Sequence, residues 1–394
     1  MNNKKLFPAL LALCLVIFLE TASFLALKYS SSLRFHPLNV DSLSLKHKKS
    51  LSLLLDGKTK LTDFSCDYGW TTKPNCSGQL YQTNSIGLRN NQEFDYKSQN
   101  KIRISTFGDS FTFGAEVSNK DTWQERICDR INNIEILNFA VSAFGLDQSF
   151  LRFIKEGIKY DSDIILIGFL SENIFRNVSV YRPFYRPDTG LPLTKPRFTL
   201  DKSGDLKLIP NPMTQLKQYT DLYANTKHLL KNFGANDYYY HHRYFGSKLD
   251  FFYSVKIFKI TLHQAKNHFD GNQIIINGFY NQSSEAYEIT TKLFDKFVQT
   301  SIENDSLPII LIFPGKSDFK RYNKAQSRIY GPLLDYFISN KFLYLDLLDA
   351  FLNEMNNYKY LEFFADSHYS PLGNQIVANY ITDFLQSNGL TNSN

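Results

Sequence analysis

The residues best equipped for chemistry in this chain of 394 residues fall into four short blocks. The first is Gly108-Asp109-Ser110-Phe111-Thr112-Phe113-Gly114. The second, residues 138–148 (NFAVSAFGLDQ), contains Gly145. The third, Leu170-Ser171-Glu172-Asn173-Ile174, contributes Asn173, and the fourth, close to the C-terminus, is Asp366-Ser367-His368. A serine, a glycine N–H, an asparagine amide and an Asp/His pair are the parts of an acyl-transfer site. A serine hydroxyl is a poor nucleophile until a histidine takes its proton. The histidine needs a carboxylate to hold its tautomer and stabilise its charged form. The oxyanion of the tetrahedral intermediate needs donors, which backbone N–H groups and an Asn side chain supply. Each residue alone has a plain structural alternative: Ser110 as an N-cap or turn serine, Asn173 as a turn residue, Asp366 as an exposed loop carboxylate. No Gly-x-Ser-x-Gly elbow surrounds Ser110, so the pattern is not that of an α/β-hydrolase.

The blocks gain meaning from what precedes them. Short apolar runs at 101–107, 134–139, 163–168, 308–313 and 342–346 are rich in β-branched and aromatic residues and bounded by polar ones, which predicts strands. Helical patterns separate several of them. Trp123, Ile127 and Ile131 recur at i, i+4, i+8, and Ile376, Val377, Tyr380, Ile381 and Phe384 form one face of a last helix. Ser370 and Pro371 suit the N-cap and N1 positions there, and Gly389 the stop. Strands alternating with helices predict a parallel sheet covered on both faces. Open sheets of this kind place their sites at the C-terminal ends of the strands, where the four blocks fall.

In residues and order, these blocks resemble the SGNH hydrolases, the GDSL-type lipases and acylhydrolases, over about 101–180 and 305–385. The resemblance implies a flavodoxin-like three-layer α/β/α sandwich. It implies Ser110 as nucleophile, His368 as base with Asp366 as its orienting acid, and an oxyanion hole from Ser110, Gly145 and Asn173. Apart from the resemblance, no Cys or His spacing suits a metal, and no cofactor is expected. Two departures stand out. The family's third block is commonly Gly-x-Asn-Asp, and here only the asparagine is kept. Its last block is commonly Asp-x-x-His, and here the spacing is Asp-x-His, a spacing that also occurs in SGNH-like proteins that acetylate exopolysaccharides.

The rest of the chain suggests a setting. Residues 6–27 hold one charge, Glu20, in an otherwise apolar stretch preceded by Lys4 and Lys5. That is long enough to cross a bilayer, and a retained anchor is favoured over a cleaved signal because no clear small-x-small site follows. Expected organisation is then an anchor over 1–28, a stalk and loop-rich lead-in over 29–100, and a catalytic domain over 101–388 with an insertion at about 177–300. The insertion carries aromatic clusters such as Tyr238-Tyr239-Tyr240-His241-His242 and is read as a cap. His241 and His242 fit either a glycan groove or a polar cap surface. Cys66 and Cys76 sit in one polar stretch, where a disulfide would staple the loop in an oxidising compartment; two unrelated thiols are the alternative. Hydrophobic residues make up 43% and Phe occurs 34 times, which excludes a disordered chain. A formal charge of +6 is scattered, without the basic stripe that nucleic-acid binding requires. These features predict a membrane-anchored, extracytoplasmic serine esterase or O-acyltransferase acting on an acylated surface glycan or a small ester. A catalytically silent glycan-binding or envelope-assembly protein of the same fold is the alternative.

Overall fold

The computed structural model describes residues 3–30, 43–98, 100–243, 249–269 and 271–391. Five parallel strands form the central sheet: β1 (Ile102–Phe107), β2 (Ile134–Asn138), β3 (Ile164–Leu170), β4 (Leu307–Phe313) and β5 (Tyr344–Asp346). All five coincide with the apolar runs of the sequence, and in space they lie in the order β2-β1-β3-β4-β5. This is the flavodoxin-like order, with its crossover between β1 and β3.

Alternation along each strand sorts side chains between two layers. On one face Phe107, Ile165, Ile167, Phe169, Ile310 and Ile312 meet α4 (Leu146–Lys155), α7 (Glu285–Glu303) and α9 (Gly331–Ser339). On the other, Ile104, Ile164, Leu166, Ile309 and Leu311 meet α3 (Trp123–Cys128), α10 (Leu347–Glu354) and α11 (Pro371–Ser387). The C-terminal helix begins as expected: Ser370 caps it by accepting from the Gly373 N–H, and Pro371 takes the first turn.

Two expectations need correction, and of the two alternatives for Cys66 and Cys76 the unpaired one is found. Residues 45–55 of the expected stalk form a helix that buries His47, Leu51 and Leu54 against the domain, because its leucines recur on one face. Cys66 and Cys76 are both free thiols, and Cys76 Sγ instead donates to the Lys60 carbonyl. The insertion is also less separate than a cap. Its final stretch supplies α7, a layer of the sandwich itself. Its Tyr181, Phe184, Tyr219, Phe233, Tyr238 and Tyr239 are buried and packed ring against ring within the same core. Burial of apolar area explains these aromatics, so they form no open platform. The side chains of His241 and His242, with residues 244–248, lie outside the described residues, as do residues 31–42.

Candidate active site

The turn leaving β1 is built around close approach. A Cβ at Gly108 would lie 2.1 Å from Thr112 Oγ1, and one at Gly168 on the neighbouring strand 2.0 Å from the same atom. Only glycine at both positions lets the short helix α2 (Ser110–Phe113) sit down on the sheet. Asp109 caps that helix by accepting from the Phe111 N–H at 2.9 Å. The first residue of α2 is Ser110, 7% exposed. Gly114 ends it in the left-handed region, at φ 75°.

Ser110 Oγ lies 2.8 Å from His368 Nε2, joining residues from opposite ends of the fold. The carboxylate on the other side of the ring is not that of Asp366. His368 Nδ1 is 2.7 Å from Glu116 Oε1. Asp366 is exposed, and its carboxylate makes no hydrogen bond to His368 among the described residues. Its backbone N–H instead donates to Glu116 Oε2 at 2.9 Å, as does that of Ser367, with the His368 N–H at 3.1 Å. Ser367 Oγ donates to Glu116 Oε1 at 2.6 Å. The Asp-x-His loop thus wraps its amides around a carboxylate brought from the other end of the domain, which already occupies the place at Nδ1. Burial pushes the Glu116 carboxyl up, but these hydrogen bonds, Ser367 and His368 foremost, outweigh it and hold the group at about 2. An ionised Glu116 can only accept, so the Nδ1 proton points at it and Nε2 is free to take the proton of Ser110.

Glu116 itself is held in the left-handed region, at φ 71°. Two residues of the lead-in segment keep it there. Tyr81 Oη accepts from the Glu116 N–H at 3.0 Å. The buried Arg89 guanidinium donates to the carbonyls of Phe113 at 2.7 Å and Val117 at 2.6 Å, and also to that of Gly114. A fixed guanidinium fork suits several carbonyls of one tight turn.

The expected oxyanion donors divide. Ser110 N–H has no backbone partner among the described residues, and Asn173, at the start of α5 (Asn173–Arg176), is fully buried with Nδ2 and Oδ1 both unpaired. An orphaned buried polar group costs about 1–3 kcal/mol; an oxyanion reaching Asn173 would satisfy its Nδ2 donor, though not its Oδ1 acceptor. Gly145 is different: its N–H is committed to Gln148 Oε1 at 3.0 Å, in the cap of α4. Two residues earlier in the same loop, Ala143 adopts φ 73°. Its N–H has no partner among the described residues, while Trp70 Nε1 grips the preceding Ser142 carbonyl at 3.0 Å. The unpaired donors of Ala143, Ser110 and Asn173 therefore belong to the segments that follow β2, β1 and β3, three adjacent strands. The left-handed backbone costs an alanine about 1–2 kcal/mol, and a mid-chain glycine about 0.5–1 kcal/mol in entropy. Ala143→Gly is therefore expected to keep full activity and to gain up to about 1.5 kcal/mol in a denaturant melt. A loss of stability would mean that the methyl group packs usefully there.

No protein-family model matches the chain, and no curated protein matches it in sequence. Solved structures with a similar arrangement include a member of the lipolytic protein G-D-S-L family from Veillonella parvula, at 12% identity and TM-score 0.36, covering 72% of this chain and 98% of that one. A lipase/acylhydrolase from Enterococcus faecalis is 13% identical at TM-score 0.35, covering 73% and 96%. A catalytic mutant of an acetylxylan esterase from Geobacillus stearothermophilus is 12% identical at TM-score 0.35, covering 72% and 92%.

Proposed function

We propose that this chain is a serine ester hydrolase or O-acyltransferase of the SGNH type, working through an acyl-serine at Ser110. The observation that carries this reading is the relay from Ser110 Oγ through His368 to Glu116, with spacings of 2.8 and 2.7 Å. In the forward step His368 Nε2 takes the Ser110 proton as Oγ attacks the acyl carbon. The oxyanion is met by the Ser110 and Ala143 N–H groups and the Asn173 amide. His368 then returns the proton to the leaving alcohol. Water resolves the ester in hydrolysis, and a sugar hydroxyl resolves it in transfer.

An acylated polysaccharide is the substrate class we favour. Beside the third block lies a groove of about 450 Å³, lined by Glu172, Phe175, Tyr185, Asp318 and Arg321 among others. Phe175 and Tyr185 are stacked there, 6.3 Å apart and nearly parallel. Carboxylates and a guanidinium suit sugar hydroxyls, and aromatic rings suit the faces of sugars. The apolar helix α1 (Asn3–Tyr29) supports a single-pass anchor, and the reading places the domain outside the cytoplasm. Its stretch Phe7–Tyr29 runs 23 residues and is almost wholly uncovered by the rest of the chain.

The test is labelling of the full chain by a fluorophosphonate probe, together with release of acetate from aryl acetates with and without an acetylatable oligosaccharide. Wild type should label and turn over, and Ser110→Ala should lose both by at least about 1,000-fold, as expected when a nucleophile is removed. Acetylated oligosaccharide among the products would identify transfer, and free acetate alone hydrolysis. A folded wild-type protein that neither labels nor turns over would favour the silent, glycan-binding reading.

A further inference from the structure

Glu20 is the one charge within the apolar stretch of α1, and it does not stand alone. Its carboxylate accepts from the backbone N–H of Tyr253 at 2.6 Å and of Ser254 at 3.2 Å, and also from Ser254 Oγ. These amides open α6 (Tyr253–Phe269), a 17-residue helix of the insertion that packs against α1. The contact serves both partners. A carboxylate among lipid chains is costly unless paired, and the first N–H groups of a helix have no partner of their own and favour negative charge. One turn beyond Glu20, the Phe24 ring meets that of Tyr253 edge to face at 5.1 Å.

The position of Glu20 fixes a depth. It lies nine residues before Tyr29, the end of the span, which is about 14 Å along a helix axis. Whatever is hydrogen-bonded to Glu20 must lie below the surface of the same leaflet. The side chains around it fit that position. Phe251 is 68% exposed, and Phe258 and Leu262, four residues apart on one face of α6, are 66% and 59% exposed. Apolar groups of this size normally seek cover. Lys28 lies over the Phe24 and Tyr29 rings, the pairing of ammonium and aromatic groups that suits a headgroup boundary; deeper along the contact, Lys256 lies over the face of the Tyr253 ring.

We infer that the first ten residues of α6, which carry Phe258 and Leu262, together with Phe251 just before the helix, are a second membrane-contacting element immersed in the leaflet beside α1 and clamped there by Glu20. The inference rests on α1 being a membrane anchor, and it assigns the exposed apolar face to lipid acyl chains. It makes the insertion the part of the catalytic domain that seats on the bilayer.

Tryptophan quenching tests this in the full chain, whose two native tryptophans, Trp70 and Trp123, are buried in the domain. Leu19→Trp, Phe258→Trp and Leu262→Trp variants would each be reconstituted into phosphatidylcholine/phosphatidylglycerol vesicles with and without brominated acyl chains. Bromines quench only tryptophans in contact with the chains. The expected result is a loss of the added emission for all three variants, with the native background unchanged. Quenching at Leu19→Trp without quenching at either α6 position would overturn the inference and leave the anchor intact. No quenching at Leu19→Trp would overturn the anchor itself, and the seating of α6 with it.

Discussion

Glu116→Gln is expected to lower kcat for ester hydrolysis by about 1,000- to 10,000-fold, the scale of losing the acid that sets the histidine tautomer. Asp366→Asn is expected to leave kcat within about threefold, the range of surface changes remote from the reacting atoms. The two variants separate the carboxylate that touches His368 from the one that the Asp-x-His spacing suggests. Equal losses in both would mean that Asp366 moves onto the ring during turnover. A second readout follows from linkage. Glu116 is held at about 2 against an ordinary 4.5, so the folded state binds its proton less readily than the unfolded chain. Its carboxylate therefore contributes stability that is full above about pH 4.5 and fades as pH falls through that window toward 2. Acid melts followed by fluorescence should show a flatter loss of stability between pH 4.5 and 2 for Glu116→Gln than for wild type. A parallel pair of curves would mean that the carboxylate is not held by the 366–368 loop in solution.

The unequal legibility of the site has physical causes. Strands covered on both faces are rich in β-branched and aromatic residues, so all five could be read as short runs even though β1 also buries Arg103, Ser105 and Thr106, with β5 beginning two residues later than its run. Ser110 and His368 were legible because each follows such a run or precedes a capped helix. Glu116 was not, because it is made relevant by a contact between residues 252 apart in sequence, and nothing local marks it except its place just after the turn at Gly114. Ala143 was hidden for the opposite reason. A search for glycine finds Gly145, whereas the left-handed position is occupied by an alanine held from outside by Trp70. The aromatic clusters of the insertion were misread because a Tyr in a core and a Tyr on a groove look alike in sequence. Only packing tells Tyr181, fully enclosed, from Tyr185, which lines the groove.

Arg176 is the residue on which the arrangement of the loops should depend most. Its Nη1 lies 2.9 Å from Asp109 Oδ2, in a pair whose side chains are 5% and 1% exposed. The same Nη1 donates to the Phe144 carbonyl at 2.8 Å, and Nη2 reaches Glu172 at 3.2 Å. One guanidinium thus joins the loops that follow β1, β2 and β3, the three that carry Ser110 and the unpaired donors. Burial pushes the Asp109 carboxyl up, and Arg176 is the charge that opposes it. Arg176→Met fills similar space but strands that carboxylate, and a denaturant melt is expected to show a loss of about 3–5 kcal/mol, as when one partner of a buried pair is removed. Adding Asp109→Asn removes the stranded charge while keeping an oxygen to cap α2, so the double variant should recover a large part of that loss. The fluorophosphonate labelling rate of the folded double variant separates positioning from stability. If Arg176 aligns the loops, labelling stays well below wild type although stability has returned; if the rate returns with stability, Arg176 only neutralises a buried charge.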